Sequence, residues 1–195
     1  MSILLDIYSK NEILKLSNHI VDAYTKQELK TLSLMHSKKL NAPLSSSVGR
    51  LFDVVYAFMG IPIELSYEGE SGLIIESYYD TDITDIYDYE IVNGVVDYTK
   101  MIIQMLKEND KNAIASKFIN TLAHIILNIS KRYNYLEVIL CGGVFQNTTL
   151  LKIVMDAMDK EGIIYHIQSK TTLNDGSISL GQVYYAKCLV KEKLS

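Results

Sequence analysis

The sequence has few of the residues that would place it among disulfide-bonded, zinc-binding or linker-rich proteins. It contains two cysteines, Cys141 and Cys188, which lie far apart and form no Cys-x-x-Cys pair, so neither a disulfide framework nor a zinc site is indicated. We expect both to be reduced, buried thiols. Its two prolines, Pro43 and Pro62, do not mark a low-complexity linker. The length of 195 residues, without such a linker, predicts a single domain or two small subdomains.

The sequence also has no excess of basic residues and no long apolar run. Lysine and arginine number 19 against 23 acidic residues, and the formal net charge of −4 makes a nucleic-acid partner unexpected. The apolar runs are too short and too interrupted to span a membrane. The first eight residues carry Asp6 and no basic cluster of the kind that opens a signal peptide. We therefore expect a cytoplasmic protein without a membrane partner.

The most informative stretch runs from Val138 to Asn147. Residues 138–140 form a short apolar run that predicts a strand buried on both faces. Gly142 and Gly143 remove two Cβ atoms where the chain turns, so a ligand or another backbone can approach closely. Asn147 is expected in the first turn of the next helix, where free N–H groups and the positive end of the dipole favour anions. Taken alone, the stretch also fits a turn with packing glycines.

The remaining pattern predicts an α/β fold, with a helical lead-in over residues 1–44 and a nucleotide-binding lobe over residues 45–195. The strand near 138 and a second one at 163–167, joined by a helix, predict parallel neighbours. The other predicted elements are helices at 11–40, 48–59, 73–76, 99–107, 111–131 and 183–190, and a hairpin around Asn93-Gly94.

Two charged positions have alternative interpretations. Arg50 and Asp53 are three residues apart on one helix face, so they form either a surface ion pair or a guanidinium and a carboxylate at a cleft edge. Asp175 precedes the last helix, on the side where open α/β sheets bind ligands, and it is either a ligand-binding carboxylate or a helix cap.

Several motifs occur in a fixed order: residues 45–53, 67–70, 142–147 and 174–182. Together they resemble the C-terminal domain of the HypF family of hydrogenase-maturation carbamoyltransferases and, more distantly, the tRNA threonylcarbamoyl transferase TsaD. The resemblance implies an RNase-H-like lobe of the actin-like ATPase superfamily, with additional helices. It covers nearly the whole chain, most clearly from Leu40 to Lys187.

The resemblance also implies binding residues for an adenine nucleotide, either ATP or carbamoyl-adenylate. Asp53 matches the acid that contacts the ribose, and Glu70 falls where the family's loop approaches the same ligand. Gly142 and Gly143 match the glycines under the nucleotide, and Asn147 matches the asparagine that contacts it. Carbamoyl transfer needs positioning and charge stabilisation more than a nucleophile of its own.

Asp175 matches the carboxylate that, with two histidines, holds iron or zinc in the family. The His-x-x-x-His motif that supplies these histidines is not present in this sequence, so a complete metal site is expected only with a missing lobe or chain. Without that partner, we expect Asp175 to cap the last helix by accepting from an N–H near Ser177 or Ile178. Arg50 is the candidate catalytic residue.

The reaction implied by the resemblance is carbamoyl transfer from carbamoyl-adenylate to the C-terminal cysteine of an acceptor protein, HypE, during nickel–iron hydrogenase maturation. Two alternatives stay open. One is a non-catalytic nucleotide-binding module that has lost its first lobe, and the other is a tRNA-modifying protein, which the acidic charge balance disfavours.

Overall fold

The computed structural model describes residues 1–16, 19–133 and 137–194, and side chains as far as residue 190. These residues form ten helices and four strands. The helices are α1 (Ser2–Ile7), α2 (Lys10–Ile13), α3 (His19–Asp22), α4 (Lys26–Ser37), α5 (Val48–Met59), α6 (Glu70–Ser77), α7 (Thr99–Met105), α8 (Lys111–Arg132), α9 (Thr148–Glu161) and α10 (Ile178–Leu194). The strands are β1 (Glu90–Val92), β2 (Val95–Asp97), β3 (Glu137–Leu140) and β4 (Ile164–Ile167).

The helical lead-in consists of short helices that pack on the same core as the rest of the chain. Capping boxes begin α2 at Ser9 and α4 at Thr25, so both starts are fixed by local side-chain hydrogen bonds. The buried apolar residues of this region join the main hydrophobic cluster: Leu4, Ile13, Val21 and Leu29. The expected helical region at 11–40 is therefore divided into α2, α3 and α4.

Helix α8 is the centre of the core. Phe118 is fully buried, and its ring contacts the ring of Phe52 from α5 edge-on, with centroids 4.9 Å apart. By length and apolarity alone α8 could cross a membrane, but 61% of its apolar stretch is buried inside the protein. That burial is the pattern of a core helix, whose apolar side chains are already covered by the rest of the chain.

The described strands form two separate two-stranded sheets. Strands β1 and β2 are antiparallel around Asn93 and Gly94, which both have positive φ angles, as the expected hairpin turn requires. Strands β3 and β4 are parallel, with Ile139 opposite His166. The strand–helix–strand prediction is thus confirmed.

The expectation that β3 is buried on both faces is wrong. Leu140 is buried in the core, whereas Ile139, which points to the other face, is 72% exposed. The reason is that β3 pairs only with β4 among the described strands, so no further layer covers the second face. The expectation of buried thiols is also wrong, because Cys141 at the end of β3 is exposed and Cys188 is half-buried.

Each of the four histidines has a different partner. His19 Nε2 lies 2.7 Å from the Ala57 carbonyl oxygen, and His36 Nε2 lies 2.9 Å from Asp6. His124 Nδ1 lies 3.0 Å from the Tyr89 hydroxyl, and the His166 ring lies 3.6 Å from Glu137. The described residues contain no cluster of three or more His, Cys, Asp or Glu side chains that could hold a metal ion.

Candidate functional site

The glycine turn follows β3 and is open on one side. Gly142 has φ +103°, a conformation that favours glycine, and a Cβ built there would meet no atom within 4 Å. Its N–H donates to the Leu173 carbonyl at 2.9 Å, which ties the turn to the loop before α10. A 3-10 turn, Gly143–Gln146, comes next. The N–H groups of Gly143 and Val144 open it, so neither has an acceptor inside it and both can donate to a ligand.

The N-terminus of α9 is already occupied by side chains of this chain. Asn147 is the N-cap rather than a first-turn residue, and its Oδ1 accepts from the Leu150 N–H at 2.8 Å. One oxygen of the Glu76 carboxylate accepts from the Thr149 N–H and from the Thr148 hydroxyl, both at 2.7 Å. The expectation of free N–H groups at this helix end is therefore wrong for Thr149 and Leu150, because the side chains of Glu76 and Asn147 accept from them.

Asp53 is held between an arginine and a buried serine. Its Oδ2 accepts from Arg50 Nη1 at 3.3 Å, and its Oδ1 accepts from the Ser71 hydroxyl at 2.7 Å. Ser71 is 1% exposed, so the shorter bond fixes the carboxylate from the protein side. The ion pair between Arg50 and Asp53 forms and is partly exposed, whereas a position at the edge of a cleft stays a prediction.

Helix α6 links Asp53 to the glycine turn. Ser71 binds Asp53, and the next carbonyl, that of Gly72, accepts from Asn147 Nδ2 at 3.4 Å. Helix α5 packs against the 3-10 turn itself. The structure thus brings Asp53, Asn147 and the glycine turn into one region, although they are far apart in the sequence.

Glu70 closes the loop before α6. Its Oε2 accepts from the N–H of Ser66 at 2.5 Å and from the Ser66 hydroxyl at 2.9 Å. The backbone hydrogen bond from Ser66, with the hydroxyl bond second, lowers the pKa of Glu70 below its usual value. This carboxylate therefore holds the loop that ends at Gly69, whose φ is +90°.

Asp175 lines a cavity of about 460 Å³ at the carboxyl ends of β3 and β4. Gly142, His166 and Cys141 line the same cavity. The expected cap by Asp175 is wrong. Asn174 makes it instead, because its Oδ1 accepts from the Gly176 N–H at 3.1 Å. The Asp175 carboxylate is exposed and has no hydrogen-bond partner among the described residues.

The donor set around Asp175 does not make a complete metal site among the described residues. Its oxygens are free to bind a cation, and a carboxylate suits iron or zinc. Within residues 1–16, 19–133 and 137–190, however, no second and third ligand meet it. The residues present therefore fit a shared site, to which another part of the protein would contribute histidines.

Three residues of this region were not found from the sequence. Ser71 and Glu76 act through contacts with Asp53 and α9, for which no local pattern exists. Val144 contributes a backbone N–H, which no side-chain motif can indicate.

The fold agrees with comparisons to known proteins. A family described as "Carbamoyltransferase, Kae1-like Domain, second subdomain" matches residues 1–182, and this chain belongs to it. The match includes the helical lead-in. The predicted α/β lobe of carbamoyltransferase type is confirmed.

Individual proteins that are similar to this chain are carbamoyltransferases named HypF. The chain is 33% identical to HypF of Synechocystis over 149 residues, which are 73% of this chain and 19% of that protein. It is 34% identical to HypF of Rhodobacter capsulatus over 155 residues, which are 77% of this chain and 21% of that protein. The sequence thus spans about a fifth of these relatives.

Solved structures show the same partial coverage. A crystal structure of full-length HypF in a phosphate- and nucleotide-bound form superposes with a TM-score of 0.83 and 29% identity, covering 97% of this chain and 26% of that one. The HypF structure from T. kodakarensis superposes with a TM-score of 0.76 at 20% identity, which supports the fold.

Proposed function

We propose that this chain supplies the second half of a carbamoyl-transfer site. In that site a carbamoyl group passes from carbamoyl-adenylate to the C-terminal cysteine of a HypE-like acceptor protein, in the cytoplasm, during nickel–iron hydrogenase maturation. The observation that carries the proposal is the open glycine turn beside the anchored Asp53, in a chain of the carbamoyltransferase family. The nucleotide bound to the full-length relative supports it further.

The adenylate would lie across the glycine turn. Each oxygen of Asp53 accepts one bond within the chain and has capacity for another, so the carboxylate can accept from ribose hydroxyls. Gly142 lets the ligand approach the backbone, and the N–H groups of Gly143 and Val144 can donate to a phosphate oxygen. Asn147 and Glu70 hold the surrounding helices and loop in place.

The transfer step requires a nucleophile from the acceptor. Its thiolate would attack the carbamoyl carbon, the carbonyl oxygen would become an oxyanion, and AMP would leave as the C–O bond breaks. Backbone N–H donors aimed at such an oxyanion typically accelerate the reaction by about 10²–10³-fold. Arg50 is 3.3 Å from Asp53, has a largely exposed guanidinium and is the candidate to approach the negative charge of the adenylate.

A divalent metal, iron or zinc, fits this site only as a shared one. Asp175 would supply one ligand, and a first lobe or another chain with a His-x-x-x-His motif would supply the histidines. When bound, such an ion provides Lewis-acid polarisation of an oxygen.

The test is calorimetric titration of the chain with ATP and AMP. Affinity should be weak, because half of the cleft is outside this sequence, so high protein concentration is needed. Asp53→Ala should weaken binding about 10- to 150-fold, the equivalent of one charge-assisted hydrogen bond of about 1.5–3 kcal/mol. Ser71→Ala should weaken it less, since the carboxylate stays but loses its anchor.

Glu161→Ala is the matched control, since Glu161 is also a partly exposed carboxylate, paired with Lys131 at 2.6 Å. It should leave nucleotide binding unchanged. Equal affinity in the wild type and in Asp53→Ala, with an unchanged circular dichroism spectrum, would contradict the assignment.

A nucleotide-binding module without transfer activity is the second candidate. It is favoured by the incomplete metal-ligand set around Asp175 among the described residues. The two functions differ in one assay, in which carbamoyl-adenylate, the acceptor protein and the first lobe of a relative are supplied together. Nucleotide binding without acceptor carbamoylation would favour the module.

A further inference from the structure

A second cavity, of about 360 Å³, lies between the C-terminal half of α8 and the segment 86–91, which leads into the hairpin. It shares no lining residue with the cavity around Asp175. His124, Asn128 and Arg132 of α8 line one side of it. These positions are four residues apart, so their side chains follow one another along one face of the helix. All three residues are exposed, which makes the cavity accessible from solvent.

Tyr89, from the segment 86–91, fixes two of these side chains. Its hydroxyl accepts from Asn128 Nδ2 at 3.0 Å and lies 3.0 Å from His124 Nδ1. The rings of Tyr89 and His124 also meet edge-on, with centroids 5.8 Å apart. Because the hydroxyl has one hydrogen, it completes this network by donating to Nδ1, which places the hydrogen of a neutral imidazole on Nε2. His124 then offers an Nε2–H that no acceptor among the described residues uses.

Arg132 has more donors than the described chain uses. Its Nη1 donates to the Ile91 carbonyl at 3.1 Å, which holds the guanidinium beside the start of the hairpin. A guanidinium carries several N–H groups, and this one forms no ion pair with a carboxylate of the described residues. Lys131 differs, because its ammonium pairs with Glu161 at 2.6 Å. The cavity is therefore lined by an unpaired cation and by a histidine N–H donor.

The rest of the lining restricts which anion fits. Two aliphatic side chains and two aromatic rings contribute apolar surface: Ile86, Ile91, Tyr87 and Tyr89. Such walls suit a ligand with a hydrocarbon or aromatic body. Asp88 also lines the cavity, and Gln104 Nε2 donates to its carboxylate at 2.8 Å. The charge of Asp88 opposes a dianion such as phosphate more than a monoanion, and the planar fork of an arginine matches a carboxylate.

We propose that this cavity binds a small organic monocarboxylate with an apolar or aromatic body. Arg132 and the Nε2–H of His124 donate to the carboxylate, and Tyr89 is a positioning residue that holds the histidine ring in its place. The volume of about 360 Å³ lies at the lower end of the range for small-molecule sites, about 300–1,000 Å³. The site goes beyond the proposed carbamoyl transfer, since it uses none of the residues assigned to the nucleotide or the metal.

The test is titration of the whole chain with benzoate, followed by two-dimensional NMR spectroscopy. Benzoate should shift the signals of His124, Asn128 and Arg132 with an affinity in the millimolar range, as expected for so small a ligand. Benzamide has nearly the same shape without the charge, and it should bind at least about tenfold more weakly. Inorganic phosphate should also bind more weakly than benzoate, because it has no apolar body and Asp88 opposes its second charge.

Arg132→Met should weaken benzoate binding by about tenfold or more, since it removes the cation and keeps an unbranched side chain. Lys131→Met is the matched control, because it removes the same charge one residue away, where the ammonium pairs with Glu161. It should leave the affinity for benzoate within about twofold. His124→Phe keeps a ring but removes the Nε2–H, so it is a second variant that should weaken binding of benzoate.

Tyr89→Phe tests the positioning role. It keeps the ring and removes the hydroxyl that orders His124. At alkaline pH, where the imidazole is neutral, the nitrogen chemical shifts of the His124 ring should report the Nε2–H tautomer in the wild type and a mixture of tautomers in this variant. Benzoate binding should weaken in parallel. A purely structural role of the hydroxyl would leave the tautomer unchanged.

Benzoate that shifts no signal of the cavity at concentrations up to about 50 mM would overturn the proposal. Equal weakening by Arg132→Met and Lys131→Met would do so too, since only the overall charge would then matter. Phosphate that binds as tightly as benzoate would overturn the assignment to a monocarboxylate. Asp53→Ala should leave benzoate binding unchanged, so failure of the proposed function and failure of this site are distinguishable.

Discussion

Replacing Glu76 tests how the N-terminus of α9 is stabilised. The half-buried carboxylate accepts from the Thr149 N–H and the Thr148 hydroxyl, both at 2.7 Å. Hydrogen bonds to a charged group are worth about 1.5–3 kcal/mol each when buried, but here solvent can partly replace them. A capping interaction contributes about 1 kcal/mol, and a negative charge at a helix N-terminus adds about 0.3–1 kcal/mol. We therefore expect Glu76→Ala to lower the free energy of unfolding by about 2 kcal/mol.

The assay is urea unfolding followed by circular dichroism at 222 nm, with thermal melts beside it. For a chain of this size, a loss of about 2 kcal/mol corresponds to a decrease in Tm of roughly 4–8 °C. Glu76→Gln keeps an acceptor oxygen and should lose about half as much, because only the charge is removed. Thr148→Val combined with Glu76→Ala should be less than additive, since the two groups share a bond.

Glu68→Ala is the control, because Glu68 is an exposed carboxylate in the loop before α6 and its replacement should change stability by less than about 0.5 kcal/mol. A Glu76→Ala variant that unfolds within about 0.5 kcal/mol of the wild type would refute the view that Glu76 stabilises the start of α9.

Three further outcomes are expected. Asn174→Ala should lower the free energy of unfolding by about 1 kcal/mol through the lost cap, whereas Asp175→Ala should lower it by less than about 0.5 kcal/mol. Urea unfolding of the two variants measures this, and a larger loss in Asp175→Ala than in Asn174→Ala would mean that Asp175 is the cap. Phe118→Ala should cost about 3–5 kcal/mol, because Phe118 is fully buried, and a smaller loss would mean that the cavity collapses. The Lys117 ammonium lies 2.8 Å from Glu108 and lowers the pKa of that carboxyl below 4.5. The stability that this ion pair contributes is therefore present above pH 4.5 and is lost as the pH falls through the folded-state pKa. Lys117→Met should flatten this acid dependence of the unfolding free energy.

Local patterns determined much of the fold. Ser47 and Gly60 mark the two ends of α5, and the structure places the N-cap and a left-handed C-terminal glycine there. The hairpin at Asn93-Gly94 and the glycine at residue 142 were predictable for the same reason, since each depends on the φ angle of one or two residues. The order of motifs also indicated the family that the comparisons confirm.

The cap before α10 shows the limit of local reasoning. Asn174 and Asp175 are adjacent and both are good capping residues, so the sequence alone favours neither. The loop decides between them, because the N–H of Gly142 donates to the Leu173 carbonyl and fixes the direction in which the chain enters the turn. Asn174 then points back to the Gly176 N–H, and Asp175 is left free for a ligand.

Local sequence patterns indicated most of the elements, their order and the glycine turn, because these depend on residues within a few positions of one another. Only the tertiary structure decided how the site is arranged. Glu76 reaches Thr149 across 73 positions, and Ser71 reaches Asp53 between two helices, so no local pattern could indicate either contact. The exposure of Ile139 has the same origin: an apolar strand residue is buried only if another layer covers it, and that depends on the whole assembly rather than on the strand.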